Sequence, residues 1–202
     1  ITTIINSKIG LINLGNTCFI NTCLQILIHC PIFINEFFRK YQEKIITPDK
    51  KISSLFLDII KAIIQAIENN SSLLDITKFK DYVGKLHQIF MGYRPNDSQE
   101  FCRVLLEDIN TELNDVKNKP IYRVFTNSQE KTKIIRDKEY FNNCKQRENS
   151  IITEIFYSQI VTTFHCSCSN EIYSFQKLLD FPLLLPDNIK RVKIQVLLRK
   201  DF

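Results

Sequence analysis

The apolar residues of the first 113 positions recur at helical spacing, and this periodicity is the strongest limit on what the chain can fold into. The clearest predicted helix has a stripe of apolar residues that step by four: Phe101, Leu105, Ile109 and Leu113. Three more helices are predicted upstream, at about residues 17–30, 53–68 and 78–90, with Pro31 ending the first of them. The first half of the chain is therefore expected to be helical.

The chain changes character after this helical part. Residues 114–150 are polar and charged with little periodicity, which predicts a solvated insertion or a mobile loop. From Ile151 the sequence becomes strand-like, and residues 192–202 fit either a strand or a helix. Because helices come first and strands later, the order predicts an α+β fold with the two parts segregated.

Charge and hydropathy argue against several classes of function. The net charge is +5, from 27 Lys and Arg against 22 Asp and Glu, but the basic residues are scattered, which favours a solvated surface over a nucleic-acid interface. Polar residues interrupt every long apolar stretch and no signal peptide is recognisable, so neither a membrane span nor secretion is expected. Seven cysteines are an odd number for a disulfide framework, which favours free thiols in the cytosol or nucleus.

One cysteine, Cys18, lies where a turn becomes a helix. Gly15 permits a tight turn, and the N–H groups of a helix N-terminus stabilise the thiolate, which is the reactive form of cysteine. Asn13, five residues earlier, is placed to donate a hydrogen bond to the oxyanion that forms when Cys18 attacks a carbonyl group. The alternative is a thiol buried in the core, as expected for the cysteines on apolar helix faces: Cys23, Cys30 and Cys102.

The sequence around Cys18, GLINLGNTCFINTCLQ, resembles the cysteine box of the ubiquitin-specific proteases, which are papain-like deubiquitinases. Every fixed position of that box matches except one, where Phe19 replaces a tyrosine. The resemblance implies a papain-like cysteine protease fold of the α+β class, with an α-helical thumb followed by the start of β-rich fingers and palm. It also implies that Cys18 attacks the bond after the C-terminal glycine of ubiquitin, while Asn13 and the backbone N–H of Cys18 hold the oxyanion.

A second stretch, RPNDSQEF, resembles the Gln-Asp-Ala-x-Glu-Phe box of the same family, with Asn96 and Ser98 in place of the usual Gln and Ala. In that family the acidic residues of this box line the channel for the ubiquitin tail, which ends in Arg-Leu-Arg-Gly-Gly. The resemblance therefore implies tail contacts for Asp97 and Glu100, with Asp97 the stronger candidate. The competing interpretation is structural, because Asp97 and Glu100 also have the spacing of a helix capping box.

A third stretch resembles the segment that leads into the zinc-bearing fingers of the family. Its Cys166-x-Cys168 pair is one residue shorter than the usual Cys-x-x-Cys, although His165 restores the spacing with a nitrogen ligand. No Cys or His follows Cys168, and Cys144 is the only further candidate nearby. We therefore expect neither a metal nor another cofactor within this chain, unless residues outside it complete a zinc site.

The resemblance divides the chain into a helical thumb (residues 1–114), a polar insertion (115–150) and the start of the fingers and palm (151–202). The family's histidine box is not found, because none of the three histidines, His29, His87 and His165, has its setting. A missing C-terminal half, a second chain that carries the histidine, or a catalytically inactive ubiquitin-binding scaffold would each explain this. The leading hypothesis is a thiol-dependent deubiquitinase whose catalytic histidine lies outside this sequence.

Overall fold

A computed structural model of the chain describes residues 4, 6–43, 45–121, 132–165, 167 and 171–181. Its helices, in chain order, are α1 (Cys18–Ile28), α2 (Pro31–Gln42), α3 (Lys51–Glu68), α4 (Thr77–Leu86), α5 (Ser98–Leu113), α6 (Lys133–Arg147) and α7 (Ile151–Ile155). Its strands are β1 (Gly10–Leu11), β2 (Leu73–Leu74), β3 (Ser158–His165) and β4 (Glu171–Leu178), and a single 3₁₀ turn spans Gln88–Phe90. The helical first half and the later strands confirm the α+β prediction.

The predicted helices are present, with two differences at their ends. Pro31 follows α1 as predicted, but it also begins α2, because proline is tolerated in the first turn of a helix, where its missing N–H has no partner to lose. The third predicted helix stops at Leu86 instead of Phe90. Phe90, the last apolar residue of the predicted helix, lies in the 3₁₀ turn and is buried in the core. Phe79, Val83 and Phe90 of the third predicted helix are buried, whereas Leu86, at the end of α4, is half-exposed.

The core lies between α1, α3 and α5, and it is rich in phenylalanine. Phe19 of α1 meets Phe101 of α5 edge-on, with ring centroids 5.3 Å apart, and Phe90 packs against both rings. A second cluster joins Phe33 and Phe37 of α2 to Phe56 of α3. The contact between Phe19 and Phe101 fixes the N-terminal turns of α1 and α5 side by side.

Among the described residues no single helix has both the length and the apolar character to cross a membrane. Within the described part of the chain, α1 and α2 are the one helix pair that together reaches that length and composition, and the pair is bent by 80°. Much of the apolar surface of both helices faces the phenylalanine-rich core, where Leu24, Ile28 and Phe33 are fully buried.

The expectation of a loop is wrong for residues 133–147, which form α6. This helix is amphipathic only weakly in sequence, but Tyr140 stacks on Phe175 of β4 at 5.7 Å, so packing against the hairpin stabilises it. The strand-like character expected from Ile151 is also delayed, because the side chain of Ser150 forms a capping box with Thr153 and starts α7. Residues 192–202 lie outside the described residues.

The strands form two small sheets. β3 and β4 make an antiparallel hairpin in which Ser158 pairs with Leu178 and His165 with Glu171. β1 and β2 form a two-residue parallel pair, with Gly10 opposite Leu73. The β1–β2 pair fixes the segment that leads into α1, and this segment carries the candidate site.

Candidate active site

Cys18 is the first residue of α1, and its side chain is exposed. Among the described cysteines it is the one that solvent reaches freely, because Cys23 is buried and Cys30, Cys102 and Cys144 are partly buried. A hydrogen bond with Cys102, together with burial, raises the pKa of the Cys23 thiol far above its ordinary value. Cys23 is therefore a core residue, as predicted, whereas Cys18 is open to a substrate.

The cysteine loop, residues 13–17, is closed by the side chain of Asn13. Its amide oxygen accepts hydrogen bonds from the backbone N–H of Gly15 at 3.1 Å, from the N–H of Thr17 at 3.2 Å and from the Thr17 hydroxyl at 3.2 Å. That same hydroxyl accepts from the N–H of Leu14 at 3.0 Å. Because these bonds use only the amide oxygen, the NH₂ group of Asn13 is left as a donor.

The loop turns through two residues with positive φ. Gly15 has φ +93°, and Asn16 has φ +52°, a value that asparagine tolerates better than most residues. A Cβ atom on Gly15 would lie 2.7 Å from a ring carbon of Tyr93, so the glycine is required by contact as well as by conformation. The side chain of Asn16 donates a hydrogen bond to the backbone oxygen of Tyr93 at 2.8 Å, which ties the loop to the segment before α5.

Two polar side chains of α1 hold the segment that enters the loop. Asn21 donates to the backbone oxygen of Leu11 at 3.2 Å, and Gln25 donates to that of Ile9 at 2.9 Å. They lie one helical turn apart and therefore share a face of α1. Sequence reasoning gave neither residue a role, although two amides at this spacing beside the cysteine are a signal for such a clamp.

The two acidic candidates lie at the exposed start of α5. Asp97 is the N-cap, and its Oδ1 accepts from the N–H groups of Gln99 at 2.7 Å and Glu100 at 3.3 Å. Both bonds use the same oxygen, and within the described part of the chain Oδ2 has no partner. The side chain of Gln99 also donates to Asp180, just beyond β4, so the fold adds a third carboxylate that the sequence did not indicate.

The three histidines are all engaged away from Cys18. His29 contacts the backbone oxygens of Gln25 and Ser7, and eleven residues of helix place it about 16 Å along α1 from Cys18. His87 bonds Asp108 at 2.7 Å, and burial raises the pKa of that carboxyl more than His87 lowers it. His165 lies at the exposed end of β3 beside Glu171.

The structure describes only part of the candidate zinc segment. Cys166 and Cys168 lie outside the described residues. Cys144 lines a small cavity beside Ser158 and Gln159 at the start of β3, roughly 23 Å along the strand from His165 at its end. Cys144 therefore does not join His165 in a tetrahedral site, and the described residues contain no cluster of three metal-binding side chains.

One known protein family matches nearly the whole chain. A family model described as ubiquitin carboxyl-terminal hydrolase matches residues 9–200, which is nearly the whole chain. The chain belongs to the ubiquitin carboxyl-terminal hydrolase family. Among curated members, ubiquitin carboxyl-terminal hydrolase 15 of Xenopus tropicalis and of Homo sapiens are each 30% identical in an alignment that covers 95% of this chain and 20% of their own length. Hydrolase 9 of Arabidopsis thaliana is 29% identical over 188 residues.

Solved structures of the family share the fold. One match is to the SAGA DUB module of Ubp8, Sgf11, Sus1 and Sgf73 bound to monoubiquitin, with a TM-score of 0.61 and 22% sequence identity. The match covers 85% of this chain and 34% of the solved chain. The same module bound to ubiquitin aldehyde gives a TM-score of 0.58. The chain spans about a fifth of the length of the curated hydrolases it matches.

Proposed function

We propose that this chain supplies the nucleophile, the oxyanion donors and part of the tail channel of a thiol-dependent deubiquitinase. The observation that carries the proposal is an exposed cysteine at a helix N-terminus, five residues after an asparagine whose amide is fixed by three hydrogen bonds. Membership of the hydrolase family and the likeness to ubiquitin-bound Ubp8 support the choice of substrate. The reaction is hydrolysis of the bond after the C-terminal glycine of ubiquitin.

In this mechanism the sulfur of Cys18 attacks the carbonyl carbon of that glycine. Thr17 precedes α1 without capping it through its side chain, so the first N–H groups of the helix face the developing negative charge. The NH₂ group of Asn13 and the N–H of Cys18 then hold the tetrahedral oxyanion, and one such donor contributes about 3–4 kcal/mol in the transition state. The amine leaves with a proton, and water releases ubiquitin from the thioester.

The acidic residues at the start of α5 are proposed to bind the arginine-bearing tail. The free Oδ2 of Asp97 allows this carboxylate to cap the helix and accept from a guanidinium group at the same time. Glu100 and Asp180 lie beside it on an exposed surface and add negative charge. Contact between the Phe19 and Phe101 rings keeps this surface next to Cys18.

The proton of the Cys18 thiol needs an acceptor, and the described residues place no histidine beside it. His29, His87 and His165 each have partners elsewhere, so the proposed mechanism takes its histidine from outside this sequence. The cytosol or nucleus, where thiols stay reduced, remains the predicted compartment.

The test is covalent capture by ubiquitin that carries a C-terminal thiol-reactive group. We expect an adduct with the unaltered chain and none with Cys18→Ala, while Cys102→Ala, which keeps the exposed thiol, still reacts. Asp97→Asn keeps a helix cap but removes the charge, and it is expected to raise the half-saturating concentration of the probe several-fold. Ubiquitin binding without an adduct would instead favour an inactive scaffold, and a folded chain that neither binds nor reacts would refute the proposal.

A further inference from the structure

Lys80 of α4 reaches across to both the cysteine loop and Tyr93. Its ammonium group lies 4.2 Å from the centroid of the Tyr93 ring, the distance of a favourable cation–π contact. The same group donates to the backbone oxygen of Leu14 at 3.5 Å. Lys80 thus joins three separate segments: α4, the loop before Cys18 and the segment before α5.

Tyr93 contacts the same loop at Gly15 and Asn16. Its ring covers Gly15 so closely that no Cβ atom would fit, and its backbone oxygen accepts from the Asn16 side chain. Successive loop residues, Leu14, Gly15 and Asn16, are therefore each held by Lys80 or Tyr93. The Asn13 hydrogen bonds act within the loop, whereas these contacts fix the loop to the rest of the protein.

We infer that Lys80 and Tyr93 are positioning residues, which hold Asn13 and Cys18 in the geometry that attack on the ubiquitin carboxyl terminus requires. The inference rests on the proposed function, because it gives the loop geometry a catalytic purpose. Neither side chain touches the reacting atoms in this scheme. They act through the loop, since a small displacement of a catalytic group lowers the rate strongly even when its chemistry is intact.

The position of Tyr93 also links the two halves of the site. Tyr93 lies four residues before Asp97, the proposed tail contact, and no helix or strand separates them. One short segment therefore presents the tail carboxylate at one end and holds the cysteine loop at the other. Loss of the Lys80–Tyr93 contact is expected to disturb the loop more than Asp97, because the cap on α5 fixes Asp97 independently.

The experiment measures capture of the 202-residue chain by the ubiquitin electrophile as a saturation curve. We expect Lys80→Met and Tyr93→Ala to lower the maximal capture rate by about tenfold to a hundredfold. The half-saturating concentration of the probe should change less than about twofold, since the tail residues stay in place. The conservative variants Lys80→Arg and Tyr93→Phe keep the cation and the ring, and both should restore the rate.

A matched control comes from a second cation–π pair. Lys61 lies 4.6 Å from the ring centroid of Tyr41, on α3 and α2, and it makes no contact with the cysteine loop. Lys61→Met removes a comparable interaction, so its melting temperature should fall about as much as that of Lys80→Met. Its capture rate should match that of the unaltered chain.

A second measurement separates this inference from the proposed function. Iodoacetamide labelling of Cys18, followed by mass analysis of the peptide that contains it, needs no ubiquitin. If the unaltered chain is not captured by ubiquitin, the proposed function fails, and slower labelling of Cys18 in Lys80→Met still supports the positioning role. The positioning role would be overturned if Lys80→Met changed neither the labelling rate of Cys18 nor the maximal capture rate. It would also be overturned if Lys61→Met lowered these rates as much as Lys80→Met does.

Discussion

Replacing Gly15 by alanine should disable the cysteine loop by a collision that a second glycine of the chain does not face. Gly15 and Gly92 have similar backbone conformations, with φ +93° and φ +85°. A Cβ atom on Gly15 would lie 2.7 Å from the Tyr93 ring, whereas one on Gly92 would meet nothing within 4 Å. Gly92→Ala is therefore a matched control, because it carries the backbone strain without the collision.

The expected loss of stability follows from backbone strain, which both variants share, and from the collision with Tyr93, which only Gly15→Ala has. An alanine at positive φ costs about 1–2 kcal/mol in backbone strain, and both variants recover about 0.4–1 kcal/mol because the unfolded chain loses freedom. These terms cancel between the two variants. To reach the 3.4 Å of ordinary van der Waals contact, the exposed Tyr93 ring must retreat from Gly15. If this movement breaks its contact with Lys80, the free energy of unfolding of Gly15→Ala falls by about 0.5–1 kcal/mol more.

The assay combines urea unfolding with capture by the ubiquitin electrophile. Urea midpoints give the difference in the free energy of unfolding between the two variants. We expect Gly15→Ala to lose capture rate by at least about tenfold, because its loop is displaced, and Gly92→Ala to stay near the unaltered chain. Equal stability losses in the two variants, or equal capture rates, would refute the argument that contact with Tyr93 sets the loop geometry.

Two further predictions concern the scaffold around the site. Glu112 of α5 accepts hydrogen bonds from the N–H groups of Ile52 and Ser53 at 3.0 and 2.8 Å, and so it caps α3. In thermal melts, Glu112→Ala should lower the free energy of unfolding by about 2 kcal/mol. The control Glu107→Ala removes an exposed ion pair with Arg103 and should change the free energy of unfolding by less than about 0.5 kcal/mol. Burial raises the pKa of Glu148, but the hydrogen bond and charge of Lys177 at 2.5 Å outweigh it, so the pKa lies below its ordinary value. The stability that this pair contributes is present above the ordinary carboxyl pKa and is lost as the pH falls through the lowered pKa. Between pH 7 and pH 3, the melting temperature should therefore fall more steeply for the unaltered chain than for Lys177→Met. Parallel curves would contradict the assignment of this effect to the Glu148–Lys177 pair.

The helical part of the fold could be predicted because its signals are local. The apolar stripe of α5 and the Asp97 cap are both read from spacing within one segment, and both are present in the structure. The signals failed where stability comes from distant partners. α6 has weak periodicity of its own and depends on stacking against β4, a contact that no local pattern of residues 133–147 contains.

The candidate site divides in the same way. The sequence by itself placed Cys18 at a helix start and Asn13 five residues before it, because a turn, a helix and their spacing are properties of adjacent residues. Only the tertiary structure brought Lys80, Tyr93 and Asp180 to this region, from α4, the segment before α5 and the end of the hairpin. These contacts join residues far apart in the sequence. They depend on how the helices pack through their buried aromatic rings, which the spacing of residues along the chain does not determine.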